Sequence, residues 1–167
     1  AQVAEVGAQS RRGAPALRRA LALADARSES PWETVLRALH VVGGLPVVPQ
    51  HEIRDRDGRF VARADLWIRG TTTIHEYDGA VHRDPAQQVR DLRRDRALLA
   101  AGWARRGYAA ADLVRQPASV LRDAETTLGR RHRSAPVTRW QRMLTESSLT
   151  EPGRRALAAR LSAAARP

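Results

Sequence analysis

The sequence predicts an α/β domain: a mixed sheet of about four strands flanked by helices, followed by a basic helical tail. Three observations predict it. Between Val47 and Gly79 the apolar residues recur with period two, the mark of strands. Ser30-Pro31-x-Glu33 and Asp84-Pro85-x-Gln87 are helix starts of one chemistry, an N-cap side chain, a proline in the first turn and a Glu or Gln at the third helical position. Finally, the helix opened at Asp84 stops at Gly102 and runs straight into a strand, so a strand-helix-strand passage follows a meander.

Residues 1 to 13 are small, polar and without periodicity, and Ala14 to Ala24 reads as a short basic amphipathic helix with leucines at 17, 21 and 23 beside Arg18 and Arg19. Asp25 to Ser30 breaks it. The helix capped by Ser30 carries Val35, Leu36 and Leu39 on one side and stops at Gly43-Gly44. Val47 to Arg54 and Arg59 to Ile68 form two strands about an Asp57-Gly58 turn. Alternation sets Phe60, Ala62, Ala64, Leu66 and Ile68 on one face of the second strand and Val61, Arg63, Asp65 and Trp67 on the other. A third strand, Thr72 to Asp78, shows Thr72, Ile74, Glu76 and Asp78 on one face. Val89, Leu92, Leu98 and Leu99 supply the apolar side of the long helix that follows. Trp103 to Tyr108 is a short strand, Ala110 to Leu128 a helix interrupted at Pro117, and the tail holds helical pieces at Arg139 to Leu144 and Arg154 to Ala165. The organisation is a basic N-terminal linker over 1–27, a core over 28–129 and an Arg-rich tail over 130–167.

The chain has 29 basic residues against 18 acidic ones, a net charge of +11 and a pI near 11.6. Every basic residue is Arg, which grips phosphate with two parallel hydrogen bonds but does not readily accept a proton. Nine arginines against Glu146 and Glu151 place much of that excess in the tail. The balance is that of a partner for polyanions such as DNA. Cysteine is absent, which excludes disulfides, thiolate metal sites and thiol nucleophiles. No apolar run approaches the ~18 residues of a membrane span and no secretory signal opens the chain, so a cytoplasmic protein without a membrane partner is expected.

Asp65 interrupts an otherwise alternating strand, and Glu76 and Asp78 stand two apart on the next. Antiparallel pairing of these strands brings three carboxylates together. Such a cluster repels itself unless a cation sits among it, and hard oxygen ligands favour Mg²⁺ or Mn²⁺. Carboxylates on a solvated sheet face are also commonplace, so the spacing leaves both readings open.

The run Arg63-Ala-Asp65-Leu-Trp67, then Ile74-His-Glu76-Tyr-Asp78-Gly79 with His82, then Gln88-x-x-Asp91 and Arg94, then Ala101-Gly-Trp103 and Ala111-Asp-Leu113, resembles bacterial proteins of unknown function related to the very-short-patch-repair endonucleases. Ser30-Pro31-x-Glu33 and Gln50 match the same pattern, which covers roughly residues 28 to 128. These proteins belong to the PD-(D/E)xK, or restriction-endonuclease-like, superfamily. The resemblance implies a DNA-cleaving core with Asp65 as its first aspartate, Glu76 as the acidic residue of (D/E)xK and Asp78 in the Lys position, together with Mg²⁺ or Mn²⁺ held by Asp65, Glu76 and Asp78. It implies Glu33 as a further ligand or organiser; His82, just past the strand end, can reach the site as a proton carrier or ligand. It leaves room for a winged-helix segment upstream, of the abortive-infection antitoxin kind, and for a homodimer. The alternative in the same fold is a catalytically degenerate DNA-binding module, an antitoxin or defence regulator.

Two positions depart from the pattern. His75 stands where relatives have an apolar strand residue, and Gly107 where they tend to have Arg; alternation points Arg106 away from the face of residue 107. Glu33 also has a structural role as partner of the Ser30 cap. Alternation sends His75 to the face opposite Glu76, and for His75 and His82 alike a surface position is the commoner fate. Gln88 and Asp91 either flank the site or lie on a solvated helix face. Trp32, Trp67 and Trp103 read as packing residues, whereas Trp140, between Arg139 and Arg142, reads as a surface for nucleic acid. Arg63, Arg83, Gln88, Arg94, Arg106, Arg139, Trp140 and Arg142 are the DNA-contact candidates.

Overall fold

A computed structural model describes residues 2–9, 13–79 and 85–164. Twelve elements follow one another among the described residues: α1 (Gln2–Ala8), α2 (Ala14–Leu23), α3 (Pro31–Val42), β1 (Val47–Arg54), β2 (Phe60–Ile68), β3 (Thr73–Tyr77), α4 (Pro85–Ala100), β4 (Ala104–Tyr108), α5 (Ala110–Arg115), α6 (Pro117–Thr127), α7 (Ser134–Thr145) and α8 (Glu151–Ala164). The sheet order is β1-β2-β3-β4. The first three strands are antiparallel, and β4 lies parallel to β3 after the α4 crossover, which makes the sheet mixed.

Local chemistry explains most boundaries. Ser30 takes extended backbone angles and its hydroxyl accepts the Glu33 N–H at 3.2 Å, with Pro31 in the first turn of α3. The β1–β2 hairpin closes through Asp55, whose carboxylate accepts the N–H groups of Asp57 and Arg59, while Gly58 supplies a left-handed φ of 79°. The larger core joins α3, α5, α6 and α7 to the sheet through Leu36, Leu39, Leu66, Ile68, Leu113, Leu121, Trp140 and Leu144. A smaller one, Ile53, Ala62, Ala64, Ile74 and Leu98, ties α4 to it, with Trp67 and Trp103 packed alongside.

The order of elements agrees with the sequence reading, and several details correct it. Residues 2–8 form a helix although their sequence lacks an apolar stripe. The expected apolar side of α4 does not face the core: Leu98 is 1% exposed, but Val89, Leu92 and Leu99 point to solvent, Leu99 at 75%. Phe60 is exposed too, because the ladder shifts register between Ile53 and Arg54 as it nears the turn. Trp140 is buried at 4%, its Nε1–H donating to the Leu113 carbonyl at 2.8 Å, so it is a core residue and cannot stack on a base. Neither is His75 a surface residue: it is fully buried on the α3 side of the sheet against His40. Among the described residues no helix is long and apolar enough to cross a membrane.

Candidate active-site cleft

The site begins with strand register. Leu66 pairs with His75 and Trp67 with Ile74, so the same antiparallel ladder carried one step further sets Asp65 beside Glu76. On the other side of β2, Pro49 pairs with Leu66 and His51 with Ala64, which leaves Gln50 opposite Asp65. Glu76 in turn pairs with Gly107 of β4. A row of Gln50, Asp65, Glu76 and Gly107 therefore crosses the sheet. Gln50 has a φ of 51°, the only non-glycine residue in the left-handed region among those described, a strained conformation of the kind that collects at functional sites.

A cleft of about 230 Å³ opens over this row, lined by Asp65, Glu76, Tyr77, Asp78, Asp91, Arg94, Asp95 and Arg105. Five carboxylates and two guanidinium groups share it. Asp65 accepts the Tyr77 N–H at 2.9 Å through Oδ2. Its pKa is pushed up to about 6, first by burial and then by the charges of Glu33 and Glu76, against the pull of the Tyr77 N–H and Arg94. Glu76, 4% exposed, is ionised despite its burial: burial works against the charge, yet hydrogen bonds from Arg94 and Arg105 hold its pKa below the usual glutamate value. Arg94 donates to both oxygens of Glu76, at 2.8 Å to Oε2, and to the Arg63 carbonyl. Arg105 donates to Glu76 through Nε and to Asp78 through Nη2, and lies 3.8 Å from Asp95.

Gly107 makes room for this arrangement. A Cβ there would stand 1.9 Å from Oδ2 of Asp78, so the carboxylate occupies space that only glycine leaves open. The cation missing at 107 is supplied by Arg105, two residues upstream on the same strand face. Sequence reasoning passed over it while testing Arg106, although the alternation that turns Arg106 away turns Arg105 inward. Asp95, one helical turn beyond Asp91, was likewise missed.

The other candidates divide. Glu33 does not line the cleft, but its Oε2 accepts the Glu29 N–H at 2.8 Å and the Gln50 Nε2 at 2.9 Å, so it steadies both the entry to α3 and the strained residue opposite Asp65. Asp91 lies inside the cleft wall, accepting from Gln87 at 2.8 Å, whereas Gln88 is exposed. Arg63 is exposed and pairs with Glu29 at 2.6 Å. Arg106 is exposed as well. Arg139 and Arg142 line a depression with Leu23 and Val42 at the C-terminal end of α3, on the order of 15 Å along that helix from Glu33. His82 and Arg83 lie outside the described residues, as does Asp84, the expected cap of α4.

In donor chemistry and in charge the cleft fits a hard divalent cation: all its acidic groups are carboxylates, and they outnumber the guanidinium groups. In arrangement it is filled by arginine. Both oxygens of Glu76 are taken, and among the described residues no three acidic or histidine groups converge as a metal centre would require. No family model, no curated protein and no solved structure matches the chain.

Proposed function

We propose that residues 28–129 form a restriction-endonuclease-like core, related to the very-short-patch-repair endonucleases, that hydrolyses the DNA phosphodiester backbone with Mg²⁺ or Mn²⁺. The observation that carries the reading is the adjacency of Asp65 and Glu76 on paired strands, with Asp78 in the same cleft, in a chain of net charge +11. A strongly basic protein that concentrates carboxylates at one point is built to bring a cation against a phosphate. On this reading Asp65, Glu76 and Asp78 would hold the ion, although their side chains do not converge around a ready-made site. When bound, it would supply an activated water and charge neutralisation at phosphorus. Arg94 and Arg105 line the cleft, and their guanidinium groups would stabilise negative charge on the phosphoryl oxygens.

Incubation of supercoiled plasmid with Mg²⁺ or Mn²⁺, against an EDTA control, tests this. Metal-dependent nicking lost in Asp65→Asn is the expected result. A second reading, the same fold binding DNA without cutting it, is favoured by the arginine occupancy of Glu76 and by Asp in place of the superfamily's Lys. It predicts retained, salt-sensitive DNA affinity with no nicking under any divalent ion.

A further inference from the structure

Away from the carboxylate cleft, an open trough of about 550 Å³ lies between α2 and α7, both of which pack against α3. Each helix turns the same stripe toward it, at positions i, i+3, i+4 and i+7. From α2 come Ala16, Arg19, Ala20 and Leu23, and from α7 come Arg139, Arg142, Met143 and Glu146. Val42, at the end of α3, completes an apolar floor with Leu23 and Met143. The α1 helix lies against Leu17 and Leu21, on the other side of α2, and leaves this stripe uncovered. Ala16 and Ala20 are exposed and short, so another helix can approach α2 closely there. Arg19, Arg139 and Arg142 stand exposed on the rim, and among the described residues their side chains make no hydrogen bond or ion pair.

We propose that this trough docks an acidic amphipathic helix of a partner protein, its apolar side on Leu23, Val42 and Met143 and its carboxylates toward Arg19, Arg139 and Arg142. Shape selects a helix and charge selects its sign. Two helix faces flanking an open channel are what a third helix packs against, its own i, i+3, i+4 and i+7 residues entering the floor. Three guanidinium groups against the single carboxylate of Glu146 leave the rim positive, so acidic residues flanking the docked stripe gain charge-assisted hydrogen bonds that a neutral helix does not. Nucleic acid matches the rim but not the floor, because a phosphate backbone has no apolar stripe to lay on Leu23 and Met143. None of these residues lines the carboxylate cleft, so docking here is independent of whether that cleft cuts DNA.

Met143 is the single methionine of the chain, so a ¹³C-methyl label on methionine puts its NMR signal in the floor of the trough. The full chain is titrated with a synthetic helix carrying leucines along one side and glutamates on both flanks, with a scrambled peptide of the same composition, and with a DNA duplex. The amphipathic peptide is expected to shift the Met143 methyl saturably, and the scramble to bind roughly tenfold more weakly. Ala20→Trp fills the trough without changing charge, and Arg139→Gln with Arg142→Gln strips the rim; each is expected to weaken peptide binding about tenfold. No methyl shift with the amphipathic peptide, equal binding of the scramble, or indifference to Ala20→Trp overturns the proposal. So does a duplex that shifts the methyl as far as the peptide does, which would assign the floor to nucleic acid. Should a variant fail to fold, the comparison of peptide, scramble and duplex on the wild type decides alone, and plasmid nicking is read separately from all of these.

Discussion

Asp65 is held where its charge is unwelcome. Its folded-state pKa of about 6 lies above the ordinary 3.8, so ionisation favours the unfolded chain. The stability this group contributes is complete below pH 3.8 and is lost as pH rises through 6. Asp65→Asn keeps an acceptor for the Tyr77 N–H and removes the charge. It is expected to stabilise the protein by about 1–2 kcal/mol at pH 7, allowing for partial solvent screening, with no gain at pH 3.5. Denaturant titrations at the two pH values check this, and a loss of stability at pH 7 contradicts it. The buried His40–His75 pair works in the opposite direction. The Leu36 carbonyl can only accept, so His40 carries its proton on Nδ1; its Nε2 then accepts from His75 Nδ1–H at 2.9 Å, and His75 Nε2 is left as a bare lone pair. A proton on either ring creates an N–H without an acceptor. Burial, the leading cause, lowers His40 to about 4 and His75 well below 6.5. This contribution to stability is full above pH 6.5 and is lost as pH falls toward 4. In the Asp65→Asn background, where the opposing carboxyl is gone, stability is expected to decline over that window, with both rings neutral by NMR at pH 6; a ring titrating near 6.5 would refute the assignment.

At the scale of elements, α4 shows what periodicity conveys and what it leaves open. Its apolar residues predicted a helix, and a helix is present, but period alone does not say which side meets the sheet. The side that does carries Asp91 and Arg94 along with Leu98, because Glu76 beneath it requires a cation more than Leu92 or Leu99 requires cover. Leu98→Ala is expected to cost about 2–4 kcal/mol and Leu99→Ala to stay within about 0.5 kcal/mol of wild type in equilibrium unfolding. Equal effects would mean that the helix is rotated. The strands were more legible: period two fixed which residues share a face, and the antiparallel pairing that joins Asp65 to Glu76 followed from the meander. The reach of Arg105 to both Glu76 and Asp78 was not legible, since it depends on the parallel register of β4, set only once α4 has crossed over.

Across the whole molecule, the basic tail is part of the fold as well as a source of charge. Trp140 and Leu144 of α7 enter the larger core with α3 and α6, while Arg139 and Arg142 stay outside. Trp140→Ala is expected to destabilise the protein by about 3–5 kcal/mol in denaturant unfolding. Arg139→Gln with Arg142→Gln is expected to leave stability within about 0.5 kcal/mol and, if the chain binds DNA as proposed, to flatten the salt dependence of that binding, each lost phosphate contact removing close to one unit of slope. A stable Trp140→Ala protein with weakened DNA binding would return Trp140 to the surface. Composition announced the charge but could not separate the buried Trp140 from the arginines on either side of it.

Residues 78 and 107 compete for a single volume. With aspartate at 78 reaching over β4, even a methyl group at position 107 requires that carboxylate to move. A homologue bearing a long basic side chain at 107 must shorten or redirect residue 78, and one that keeps the aspartate must borrow its cation from another strand position, as Arg105 does here. A side chain introduced at 107 is therefore expected to turn the Asp78 carboxylate off β4 and away from Arg105, loosening the bridge between the two.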